Sequence, residues 1–81
     1  MLCQVFRSPK RDEMYLYVEK STGLEQVPAP LLHQFGEPES VMMVMLDGQR
    51  KLARVDATEV VAAIEEQGYY LQMPPGKWVH K

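Results

Sequence analysis

Nucleophilic chemistry in this chain of 81 residues would have to start from Cys3, His33 or His80, its only cysteine and its only histidines. A working Cys–His pair needs a thiol of lowered pKa with an imidazole in hydrogen-bond reach. Cys3 stands among the strand formers Leu2, Val5 and Phe6, and that setting reads as an inert packing thiol. His33 follows Leu31 and Leu32 in a short helical stretch and reads as a surface side chain. One cysteine and two widely spaced histidines match no zinc pattern, and Asp47 and Asp56 do not make a calcium loop. The glycines are scattered singly, so no loop cradles a phosphate. Neighbouring carboxylates occur at Asp12-Glu13, Glu37 with Glu39, and Glu65-Glu66. Each set lies in a turn or on a helix face, where charge is solvated, whereas acid–base catalysis needs a desolvated or coupled carboxyl. The expectation is a protein without catalytic residues, metal ligands or cofactors.

A second constellation is aromatic and basic. Phe6, Tyr15, Tyr17 and Tyr70 fall in predicted strands, with Arg7, Lys10 and Arg11 beside the first of them. Aromatic rings on an unshielded sheet face anchor protein partners. The same rings with flanking cations stack bases and hold the phosphates of single-stranded RNA. Nine basic against eleven acidic residues give a net charge of -2, which disfavours polyanions, and no ribonucleoprotein motif is present. Met42, Met43 and Met45 make Val41–Leu46 apolar on both parities and add adaptable surface. The first expectation is therefore a non-catalytic protein-interaction module, binding an unknown protein or a second copy through an aromatic sheet face of Phe6, Tyr15, Tyr17 and Tyr70, with the three tyrosines as anchors. The alternative is single-stranded RNA binding through the same tyrosines with the flanking Arg7, Lys10 and Arg11.

The elements that must position these side chains follow from periodicity. Leu2–Arg7 and Met14–Val18 read as two strands joined by the turn cluster Ser8-Pro9-Lys10-Arg11-Asp12, an antiparallel hairpin. Side chains alternate along a strand, so Met14, Leu16 and Val18 share one face and Tyr15 and Tyr17 the other. Pro28–Phe35 reads as a short helix with proline in its first turn and Gly36 as its stop. Ser40–Leu46 reads as a strand buried on both sides or covered by a partner. Asp47-Gly48 suits a tight turn into the sparse run Gln49–Val55, an edge strand or an irregular stretch. Asp56, with Glu59 three residues on, opens a second helix whose apolar stripe is Ala57, Val60, Val61 and Ile64 and whose stop is Gly68. Tyr69–Met73 reads as a last strand, ended by Pro74-Pro75. The sum is one small α+β domain, a mainly antiparallel sheet of three to four strands with both helices on one face and the tyrosines on the other.

Several segments resemble the YcgL-domain family: Met1-Leu2-Cys3, Arg7-Ser8-Pro9-Lys10, Tyr15-Leu16-Tyr17-Val18, Val27-Pro28 with Phe35-Gly36, Leu46-Asp47-Gly48, Lys51-Leu52, Asp56, and Gln67-Gly68-Tyr69-Tyr70-Leu71-Gln72-Met73-Pro74. Their order and spacing carry the resemblance, which extends to Pro75. It implies a small bacterial domain over residues 1–75, followed by a short tail at 76–81. It implies no catalytic or binding residue.

Composition bounds the rest. With 46% apolar and 25% charged residues the chain is neither a disordered acidic tail nor a membrane span, and its length holds one core. A single cysteine excludes an internal disulfide and fits a reducing compartment. The opening residues lack the basic region and long apolar run of a secretory signal, so a cytoplasmic location is expected.

Overall fold

A computed structural model of the chain describes residues 1–46 and 56–73. Four strands and two helices follow in the order β1 (Leu2–Arg7), β2 (Tyr15–Glu19), α1 (Ala29–Phe35), β3 (Glu39–Met45), α2 (Ala57–Gln67) and β4 (Tyr70–Gln72). The strands form one antiparallel sheet in the spatial order β3-β1-β2-β4. The α+β class and the antiparallel β1–β2 hairpin are as the sequence predicts. The predicted strand or irregular run at Gln49–Val55 and the tail at 76–81 lie outside the described residues.

Register decides which side chains share a face. In the hairpin Val5 is opposite Tyr17 and Phe6 is opposite Leu16. Cys3 and Val5 therefore lie on the tyrosine side of the sheet, and Phe6 lies on the Leu16 side. β4 follows the same alternation, with Tyr70 opposite Tyr17 and Leu71 opposite Leu16. A slip of one residue would exchange the two faces of a whole strand.

Both faces are apolar, and each is covered by its own helix. On one, Cys3, Val5, Tyr17, Val44 and Leu46 pack with Ala57, Val60 and Ile64 of α2. On the other, Met14, Leu16 and Val18 pack with Val27 and with Phe35 of α1, and Phe6, Leu31, Leu32, Tyr69 and Leu71 add to that cluster. The expectation that both helices sit on one face, leaving the tyrosine face open, is overturned. The physical reason is that the central pair β1–β2 carries apolar residues on both parities, and one helix shields only one side of a sheet.

The helix ends match their sequence signals. Asp56 precedes α2, and its carboxylate accepts a hydrogen bond from the Thr58 amide at 2.9 Å, satisfying one free N–H of the first turn. Gly68 closes α2 in the left-handed conformation, its N–H donating to the Ile64 carbonyl at 2.8 Å. Pro28 precedes α1 without a side-chain cap, and Pro30 stands in its first turn, where a missing N–H costs nothing.

β3 is not buried on both sides, the first of the two readings its sequence allows. Only Val44 in the strand, and Leu46 just after it, are buried; Val41, Met42, Met43 and Met45 are exposed. β3 ends the sheet order, so its side chains are flanked by one strand among those described. Its register with β1 shifts by one residue: Met42 is opposite Val5, but Ser40 is opposite Phe6. Val41 is the extra residue of this bulge, which bends the strand and re-aims its neighbours.

Candidate functional site

The loop between β1 and β2 is organised by one hydroxyl. Ser8 is buried, and its Oγ donates to the Phe35 carbonyl while accepting from the amides of Lys10 and Arg11 at 3.1 and 3.2 Å. Its own amide donates to the Met14 carbonyl at 3.0 Å. Glu13 takes a φ of 62°, which lets the chain turn back into β2. Gly36 lets this loop lie against the end of α1: a side chain there would come within 3.1 Å of Pro9 and Lys10 carbons.

The basic residues leave this loop with partners. Arg7 donates to the Glu39 carboxylate at 2.9 Å, and that bond, together with the carboxylate charge, raises the guanidinium pKa. The Lys10 ammonium donates to the His33 carbonyl at 3.2 Å, near the negative end of α1. Arg11 is exposed, and its amide is held by Ser8. An open cleft beside them is lined by Arg7, Asp12, Glu13, Tyr15 and Glu39, where carboxylates outnumber the one cation. A phosphate backbone gains little in such surroundings.

The aromatic residues divide between the two faces. Tyr17 is only 7% exposed, and its hydroxyl donates to Gln72 Oε1 at 3.0 Å inside the domain. Its ring meets Tyr70 edge to face, with centroids 6.0 Å apart. Burial, the first cause, raises the phenol pKa of both; nearby tyrosines add to the effect at Tyr17, and Glu59 adds at Tyr70. Tyr15 and Tyr70 are partly buried and pack against the α2 cluster. Phe6 lies across the sheet, against the α1 cluster. The structure thus does not bring Phe6, Tyr15, Tyr17 and Tyr70 to one surface, and Tyr17 is a core residue. Parity within each strand was legible, but the register between strands was not.

Cys3 has no surface exposure, and burial raises its thiol pKa against the lowering by the N-terminal amine. A thiol so placed is a poor nucleophile. His33 is exposed on α1, and His80 lies outside the described residues. Among the described residues no group of three histidine, cysteine or carboxylate side chains could hold a metal ion. Nor is any described helix long and apolar enough to cross a membrane.

The surface that stands out is on β3. Met42 is 57% exposed, Met43 and Met45 are each 53%, and Val41 and Leu2 complete the group. Leu2 is opposite Met45 and Gln4 opposite Met43, so Leu2, Met43 and Met45 project from the same side of the sheet as α1. Gln4 donates to Ser40 Oγ at 2.7 Å on that side and marks a polar border. Met42 projects from the other side, beside Val5. Sequence reasoning read this run as buried on both sides or covered by a partner, with its methionines as adaptable surface. Its signal was the run of apolar residues on both parities, in a chain too small to bury a strand twice over.

The YcgL domain model matches residues 3–75 of the chain. A YcgL domain-containing protein of Chromohalobacter salexigens is 54% identical over 76 residues, covering 94% of this chain and 79% of that protein. Protein YcgL of Salmonella paratyphi A is 51% identical over 75 residues, covering 93% of this chain and 68% of its own length. A YcgL domain-containing protein of Yersinia enterocolitica is 49% identical over 75 residues, covering 93% and 83%.

Proposed function

This chain belongs to the YcgL-domain family, and from that premise we propose that it is a non-catalytic protein-interaction domain whose docking surface is β3 with Leu2. The occupant is a protein presenting a complementary apolar face. The observation that carries this reading is the run of large apolar side chains, Val41 to Met43 with Met45, left exposed on one strand while two cores elsewhere are closed. Contiguous exposed apolar surface rimmed by polar groups is where protein partners dock, and methionine side chains adapt to varied shapes. Here Gln4, Ser40 and Glu39 supply the rim. The tyrosine-centred version of the interface gives way to this one because Tyr17 is interior. The RNA reading loses that same ring, and its Arg7 is paired with Glu39. The single free, buried thiol supports a reducing, cytoplasmic setting.

The test is a capture experiment with three baits: the wild-type chain, Met43→Glu and Tyr15→Ala. Met43→Glu sets a charge in the middle of the proposed surface at an exposed site, so the fold persists. Species retained by wild type and by Tyr15→Ala but lost by Met43→Glu support the β3 surface, and light scattering separates a foreign partner from a second copy. The same species on all three baits would refute it.

A further inference from the structure

We propose that Met42, Met43 and Met45 form an oxidation site, at which hydroperoxides convert the three thioethers to sulfoxides in the folded protein. Of the six methionines in the chain, these three are the most exposed described ones and fall within four consecutive residues of one strand. Met14 is only 3% exposed, inside the α1 cluster, and serves as a built-in control. Met1 packs against the α2 cluster, and Met73 is exposed just beyond β4, at the opposite end of the described strands from β3.

The reaction at each residue is an oxygen-atom transfer. The sulfur lone pair attacks one oxygen of the hydroperoxide; an S–O bond forms and the O–O bond breaks. The departing oxygen takes the proton and leaves as water or an alcohol. Sulfur loses two electrons and the peroxide gains them. The product is a polar, hydrogen-bonding side chain, and reductases of methionine sulfoxide reverse the change. Burial within a core protects a thioether until the protein opens locally, whereas these three side chains are more than half exposed in the folded protein. Because Met43 and Met45 project on one side of β3 and Met42 on the other, oxidation makes both sides of the strand polar without touching Leu16, Val18 or Phe35 in the core. The consequence for partner binding rests on the docking surface proposed above. There, oxidation acts as a reversible off-switch.

The sequence makes the assay direct. Cleavage after Lys and Arg puts Met14 in residues 12–20 and all three β3 methionines in residues 21–50, while Met1 and Met73 fall in other peptides. The folded full chain is treated with hydrogen peroxide, quenched over time, digested and weighed. The expected result is up to three added oxygen atoms on residues 21–50, arriving about tenfold faster than the one on residues 12–20. Circular dichroism after the third oxygen should be unchanged. Equal rates in the two peptides, protection of residues 21–50, or loss of the fold on oxidation would each overturn the site. A second measurement keeps the two readings apart. Met42→Leu with Met43→Leu and Met45→Leu should retain the partner both before and after peroxide treatment. If wild type oxidises as described but keeps its partner, the oxidation site stands and the docking surface falls.

Discussion

Replacing Ser8 with alanine removes one oxygen and breaks three hydrogen bonds. The hydroxyl donates to the Phe35 carbonyl and accepts from the amides of Lys10 and Arg11. The two amides are only part-buried, so water replaces the lost acceptor at small cost. The Phe35 carbonyl is different, because its bond with Ser8 is buried. Leaving a buried acceptor unpaired costs about 1–3 kcal/mol, and a net exchange of the amides adds roughly 0.5 kcal/mol or more. The expected loss is about 2–3 kcal/mol, a large share of the roughly 3–5 kcal/mol that a core of this size supplies. Urea unfolding followed by circular dichroism measures it as a lower midpoint with an unchanged slope. Melting should fall by about 10 °C or more, since each kcal/mol moves a domain of this size by about 4–8 °C. Ser40→Ala is the control, because its bond with Gln4 is exposed and its loss should register under about 0.5 kcal/mol. If Ser8→Ala cost no more than Ser40→Ala, the idea that this hydroxyl joins the β1–β2 loop to α1 would be wrong. The Arg7-Ser8-Pro9-Lys10 segment would then need an explanation outside the fold.

Two further perturbations test other parts of the structure. Gly68 has a φ of +96°, and a Cβ there would lie 2.5 Å from Gln26 Cβ, whereas Gly23, at +64°, has open space. Gly23→Ala should therefore cost about 1 kcal/mol of left-handed strain, and Gly68→Ala clearly more, as read from urea midpoints; equal costs would refute the contact with Gln26. Burial raises the Cys3 thiol and the Tyr17 and Tyr70 phenols, so the unfolded chain releases these protons first as pH rises. Stability is then full below roughly pH 9 and falls as pH climbs through the raised native values, and Cys3→Ala should delay the onset of that fall. A urea midpoint unchanged between pH 8 and pH 11 would contradict the burial of these groups.

Much of the fold was legible because its signals are local. Asp56 before a stripe of Ala57, Val60 and Ile64, with Gly68 at its end, specifies α2 through capping, periodicity and left-handed freedom. Alternation within Tyr15–Val18 set which neighbours share a face, and Pro28, Pro30 and Gly36 bracketed α1. The reading of Cys3 as a packing thiol rested on its apolar neighbours, and the thiol is indeed buried. The candidate site fared otherwise. Phe6 and Tyr17 are separated because Val5, and not Phe6, is opposite Tyr17, and nothing within either strand fixes that pairing. The exposure of Met42, Met43 and Met45 goes with β3 standing at the end of the order of the described strands, which its own residues do not encode.

Backbone conformation is dictated by neighbours a few positions apart, so the sequence by itself determined the helices, the strands and their caps. Which face each strand presents, and which of the described strands stands last in the sheet, depends on contacts between segments distant along the chain. Only the tertiary structure decided that Tyr17 belongs to the core and that Met42, Met43 and Met45 lie on the surface.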